Sequence, residues 1–219
     1  MRALLAAIQA EAALGEMPID VPVYQGAGVD PTTPVLLGSG SLQARIGVMG
    51  RDPGRHEVIE NEPFIGKGGQ LIRQALHQAQ FGRDAASLED YKRAGENFFW
   101  ANTVPYKPTG NKAWSVKVKR RFLPHIQELL VDQWQGRDLI TCGNVAFEWF
   151  GLADKSLKPQ LKAFWALPDR YERSLQVSLG GKDFVLHPVP HPSPLNATWY
   201  KRFPELMSQR LTQLNWSGA

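Results

Sequence analysis

The chain has 219 residues, 43% of them hydrophobic, a formal net charge of +4 and one cysteine, Cys142. A chain of this length buries roughly 70% of its unfolded surface and needs no covalent staple. A lone cysteine excludes an internal disulfide framework and a cysteine-ligated zinc or iron–sulfur cluster, while the basic excess permits a polyanionic partner.

The first predicted element is an alanine-rich amphipathic helix. Gln9 and Glu11 interrupt the apolar run Ala3-Leu4-Leu5-Ala6-Ala7-Ile8 too early for a secretory signal, and no run approaches the roughly 20 residues of a membrane span. A cytoplasmic protein without membrane contact is expected. The helix ends before Gly15 and Pro18, and residues 15–41, rich in Gly, Pro and Thr, read as an extended arm. Short apolar runs then predict strands over 45–49, 98–101, 138–141 and 184–186. Periodic apolar positions predict helices over 69–80, 124–134, 145–150 and 204–214. Strands separated by helices predict one α/β domain over 1–219, with 1–44 as N-terminal helix and arm and a mainly parallel four-stranded sheet covered on both faces. The ligand site of such a sheet lies beyond the carboxyl ends of its strands.

Three segments fall there. The first strand runs into Gly50-Arg51-Asp52-Pro53-Gly54, a sharp turn with Asp52 at its tip. The second ends in Asn102-Thr103-Val104-Pro105-Tyr106-Lys107-Pro108 and presents an amide. The fourth ends in His187-Pro188-Val189-Pro190-His191-Pro192-Ser193-Pro194-Leu195-Asn196, where four prolines stiffen the backbone. A carboxylate, an amide and an imidazole on one edge can activate water, read a hydrogen-bonding ring and stabilise a leaving anion. Taken singly, Asp52 before a proline also suits a turn. The prolines keep His187 and His191 off a common helix face, so no metal pair is expected. Gly66-Lys67-Gly68-Gly69-Gln70 lacks the spacing and the Lys-Ser/Thr ending of a triphosphate loop. Cys142, after Leu139-Ile140, reads as a core residue.

Charge placement points to nucleic acid. No acidic residue occurs between Asn97 and Gln127, a stretch holding Lys107, Lys112, Lys117, Lys119, Arg120 and Arg121. None occurs between Phe184 and Pro204 either, where Lys201 and Arg202 follow the proline-rich segment. Phosphate neutralisation accounts for both stretches, with a solvated basic face as the alternative.

These residues resemble the uracil-DNA glycosylase superfamily. Gly50-Arg51-Asp52-Pro53-Gly54 is similar to its first motif and His191-Pro192-Ser193-Pro194-Leu195-Asn196 to its second. Glu62-Pro63-Phe64-Ile65-Gly66-Lys67-Gly68-Gly69 resembles the Pro-Phe-Val-Gly-x-x-Gly segment of the iron–sulfur, family-four type, and Asn102 heads a segment similar to that type's Asn-x-Val-x-x-x-Pro. The resemblance implies a three-layer α/β/α sandwich that removes uracil from DNA. It gives Asp52 the activation of water, His191 a bond to uracil O2, Phe64 a stacking face and Asn102 the reading of the base edge. Gly50 and Arg51 belong to the same substrate-binding motif. Leu195 would fill the vacated duplex space, while Ser193, Pro194, Asn196, Lys107, Lys201 and Arg202 hold DNA. With one cysteine the cluster of the family-four type is lacking, so no cofactor and no metal is expected. Asp52 matches the Asp of the superfamily's Gly-Gln-Asp-Pro-Tyr type, with Gly54 where that type has tyrosine. The implied partner is uracil-containing DNA, and such a substrate requires no second subunit, so a monomer is expected. Two alternatives stay open: a uracil- or damage-binding protein on the same fold that holds DNA without cleaving, and a glycosylase for another base such as hypoxanthine or mismatched thymine.

Overall fold

The computed structural model describes residues 1–193 and 196–216. Its centre is a five-stranded sheet in the order β2-β1-β3-β5-β4, built from β1 (Ile46–Gly50), β2 (Phe98–Asn102), β3 (Asp138–Cys142), β4 (Leu175–Leu179) and β5 (Lys182–Val189). The first three and β5 run parallel, and β4 pairs antiparallel with β5 at the edge. β1 and β2 are buried along their whole length, as strands covered on both faces must be.

Side-chain alternation assigns the two faces. Met49, Phe99, Ala101, Leu139, Phe184 and Leu186 enter one core, with Ile8, Phe122, Ile126 and Phe147. Here α1 (Arg2–Ala13) packs on α6 (Val116–Glu128), and α7 (Asn144–Ala153) sits on the sheet with α8 (Lys158–Trp165) behind it. Val48, Phe98, Trp100, Ile140, Cys142 and Val189 enter the other, with Phe64, Ile72, Leu76 and Met207. That face is covered by α4 (Lys67–Phe81) and α10 (Phe203–Gln213), with α5 (Leu88–Gly95) against α4. Short α-helices among the described residues include α2 (Val21–Gly26), α3 (Arg55–Glu60) and α9 (Ala197–Tyr200). The α/β/α layering expected from the sequence is therefore present. No helix among the described residues is long and apolar enough to cross a membrane.

The structure adds α3, α5 and α8, which no expected helix covers, and differs from expectation at the sheet edge, in the arm and at α6. The sheet has five strands instead of four. Leu175-Gln176-Val177-Ser178-Leu179 alternates apolar and polar as a half-buried edge strand does. The two-residue turn Gly180-Gly181, both at positive φ, then returns the chain into β5. The arm after α1 is not wholly extended, because α2 interrupts it. α6 begins eight residues before Pro124. Ser115 caps it by accepting from the Val118 N–H at 3.2 Å, and Pro124 lies inside the helix instead of opening it.

Candidate active site

Parallel pairing brings four strand ends level. Gly50 is opposite Asn102, and Cys142 is opposite Val189. The motifs that follow these residues thus share the carboxyl edge of the sheet. Backbone bonds tie them further. Thr103 N–H donates to the Gly50 carbonyl at 2.9 Å, its hydroxyl donates to the Arg51 carbonyl at 2.6 Å, and Gly143 N–H donates to the Val189 carbonyl at 2.9 Å.

Gly50 is the floor of this arrangement. A Cβ built on it would lie 2.6 Å from Phe64 Cζ and 2.7 Å from Asn102 Oδ1, so only glycine lets the ring and the amide close over the strand. Phe64 is largely buried, with φ +56°, a left-handed backbone that costs a non-glycine residue on the order of 1–3 kcal/mol. Asn102 is 3% exposed. Its side-chain amide makes no hydrogen bond among the described residues, and buried amides normally have partners. An unengaged donor–acceptor pair beside an aromatic ring is a fitting receptor for a planar hydrogen-bonding ring. Gly50→Ala is expected to lower stability by on the order of 1–3 kcal/mol, because the added methyl overpacks the Phe64 ring and the Asn102 amide. Urea unfolding followed by circular dichroism checks it, and an unchanged midpoint contradicts it.

Asp52 lies just beyond Gly50. Its side chain is 7% exposed and accepts from Arg51 Nε at 2.7 Å; Arg51 Nη2 also donates to the Asn111 carbonyl at 3.3 Å. Burial raises the Asp52 pKa above the ordinary carboxylate value. The Arg51 hydrogen bond and charge, and the charges of Lys107 and Lys119, pull the other way. The Glu57 carboxylate staples the turn from behind, accepting from the Gly54 N–H at 3.1 Å and the Gly66 N–H at 3.0 Å.

His191 packs on Gly143, where a Cβ would lie 3.0 Å from the His191 Cβ. The backbone of Gly68, at the start of α4, abuts the Pro192 carbonyl, so the Phe64 and His191 segments are neighbours. The surrounding protein, and then the Arg51 charge, hold the His191 imidazole below its ordinary pKa. The residue itself is exposed, and its ring nitrogens have no hydrogen-bond partner among the described residues. His187 is different. Its Nε2 donates to Asp138 Oδ1 at 3.0 Å and its Nδ1 accepts from the Ser174 hydroxyl at 2.7 Å. The buried Arg210 donates to that hydroxyl and to the Pro188 carbonyl, each at 3.2 Å. His187 is thus part of the frame behind the His191 segment. Among the described residues no group of three His, Cys, Asp or Glu is placed to hold a metal ion.

The basic residues divide. Lys107, expected to hold DNA, is buried and its Nζ pairs with Asp20 Oδ2 at 2.7 Å; its charge is neutralised inside the fold. Lys117 and Arg121 face Glu16 and Glu11. The stretch is acid-free along the chain but not in space, because residues 11–20 fold against it. Lys112, Lys119 and Arg120 have no carboxylate partner among the described residues. Lys201 and Arg202 are exposed, the latter over the Trp199 ring. Ser193 N–H donates to the His191 carbonyl and Asn196 N–H to the Ser193 carbonyl, each at 2.8 Å. Pro194 and Leu195 lie outside the described residues. Sequence reasoning missed Gly143, whose signal was a glycine between a strand and a helix. A cavity of about 330 Å³ lined by Ser41, Arg45, Asn97 and Trp216 lies at the opposite, amino edge of the sheet.

A mainly parallel α/β sheet thus carries an amide, an aromatic ring and a carboxylate together at its carboxyl edge. The chain belongs to the uracil-DNA glycosylase superfamily, whose family model matches residues 37–215. It is also similar to the Type-4 uracil-DNA glycosylase of Thermotoga maritima, at 29% identity over 80 residues, which take in 36% of this chain and 35% of the relative.

Proposed function

We propose that the protein is a uracil-DNA glycosylase that swings uracil out of the DNA stack, hydrolyses its N-glycosidic bond and leaves an abasic site. The observation that carries this reading is the meeting of the unengaged Asn102 amide and the Phe64 ring over Gly50, with Asp52 on the adjoining turn. A base inside a duplex is out of reach, and eversion costs a few kcal/mol; stacking on an aromatic ring returns roughly 1–3 kcal/mol. The amide can accept from uracil N3–H and donate to O4 together. Cytosine offers the opposite pattern at both atoms and leaves the buried amide mismatched.

As the C1′–N1 bond breaks, its electron pair goes to the base and spreads to O2, while the sugar becomes cationic. A neutral His191 N–H aimed at O2 gains strength as that charge develops. The Asp52 carboxylate orients water toward C1′, offsets the sugar's charge and accepts the water proton as the new C–O bond forms, releasing it to solvent after the uracil anion departs. Exposed Lys201 and Arg202, with Lys112, Lys119 and Arg120, supply cations for phosphate.

The reading is tested by incubating the full chain with duplexes containing U, T, hypoxanthine or C, followed by alkaline scission. Cleavage at U alone is expected. Binding to the U duplex without scission establishes the non-cleaving alternative, and preferential cutting at hypoxanthine or T reassigns the base.

The pH profile gives a further expected result. Asp52 acts ionised, so the rate falls as pH drops through its raised pKa. Removing Arg51 withdraws the charge that stabilises the carboxylate and the charge that keeps His191 neutral, so both groups protonate at higher pH. Arg51→Gln therefore moves the acid limb of kcat/KM to higher pH. An unmoved limb, or one moved to lower pH, contradicts this coupling.

A further inference from the structure

Arg73 is fully buried in α4, and its guanidinium is spent on the Phe64 segment. Nε donates to the Phe64 carbonyl at 3.1 Å, and Nη2 donates to the Pro63 carbonyl at 2.7 Å and to the Glu62 carboxylate. Nη1 donates to the Tyr91 carbonyl at 2.8 Å. The guanidinium also lies over the Trp100 ring, Cζ 4.4 Å from its centroid, and Trp100 packs against Phe64 with centroids 5.2 Å apart. Glu62, itself buried, accepts from the Ser39 N–H at 2.7 Å and the Ser39 hydroxyl at 2.8 Å. The N-terminal arm thereby reaches the back of the site.

We infer that Arg73 is a positioning residue for base recognition: with Glu62 and Ser39 it fixes the Pro63-Phe64 backbone so that the ring stands over Gly50 beside Asn102. The inference rests on the functional reading above. A buried charge is a poor way to stabilise a helix when an apolar side chain would fill the space. Here the planar fork spans two successive carbonyls and a carboxylate, which the point charge of lysine cannot do. The carbonyls belong to the residue at positive φ and the one before it, a conformation that persists only where its surroundings over-determine it.

The test compares the full-length wild type with Arg73→Lys, Phe64→Ala, their double variant and Ser39→Ala. Single-turnover excision is measured against enzyme concentration, and free uracil is titrated as inhibitor. Arg73→Lys is expected to weaken uracil inhibition and raise the half-saturating enzyme concentration about tenfold. Its limiting rate stays within about threefold, because stacking is lost and the bond-breaking groups are kept. Phe64→Ala weakens uracil inhibition at least as much, and the double variant is no worse than Phe64→Ala, since Arg73 acts through the ring. Ser39→Ala weakens inhibition about threefold and decides the matter if Arg73→Lys does not fold. Normal uracil inhibition in a folded Arg73→Lys or Ser39→Ala, or losses that multiply in the double variant, overturn the inference. An inert wild type sinks the functional reading and this inference with it, whereas an active wild type indifferent to position 73 sinks this inference alone.

Discussion

Asp52→Asn slows uracil excision about 10³-fold, within the roughly 10²–10⁴-fold range of a positioned general base, and leaves affinity for uracil-containing duplex within about threefold. The amide keeps the shape of the carboxylate and loses its charge. Water near C1′ is then neither oriented nor relieved of its proton, and the cationic sugar has no counter-charge. Binding survives because stacking on Phe64, the Asn102 pattern and the phosphate contacts do not involve residue 52. Single-turnover kinetics beside a binding titration separates the two effects, and a variant that no longer binds would remove Asp52 from the water-activating role.

The second large effect belongs to His191→Ala, expected to lower the single-turnover rate about 10²-fold, the lower end for loss of one preorganised donor. Affinity for the same duplex should fall much less. Surrounding protein and the Arg51 charge disfavour protonation of the ring, and its proposed role is a hydrogen bond that grows with the negative charge on O2. The rate and affinity losses should diverge when both are measured on one substrate. Equal losses assign His191 to ground-state binding instead.

The four parallel strands were readable because each is a short apolar run. The motifs beyond three of them were readable because glycine and proline mark where a strand must stop and turn. The edge strand Leu175–Leu179 was not read, because its polar half breaks the continuous apolar run by which the others are found; its signal was an alternation ending in Gly180-Gly181. The course of α6 was obscured by Pro124, which by local rules opens a helix and here lies within one. Lys107 marks another limit. Whether a lysine meets a phosphate or a carboxylate depends on what folds against it, and Asp20 is 87 positions away. Arg73 was invisible for a related reason, since its partners are backbone carbonyls, the face of Trp100 and a Glu62 carboxylate 11 positions away, a set that leaves no motif.

The central claim is that Asp52 and His191 work from two sides on one everted base. The structure of Asp52→Asn bound to a uracil-containing duplex tests it most directly. The account predicts uracil stacked on Phe64 and read by Asn102, the His191 ring within hydrogen-bond distance of O2, and residue 52 beside C1′. A complex in which the base stays in the duplex, or in which residue 52 and His191 face separate spaces, contradicts it.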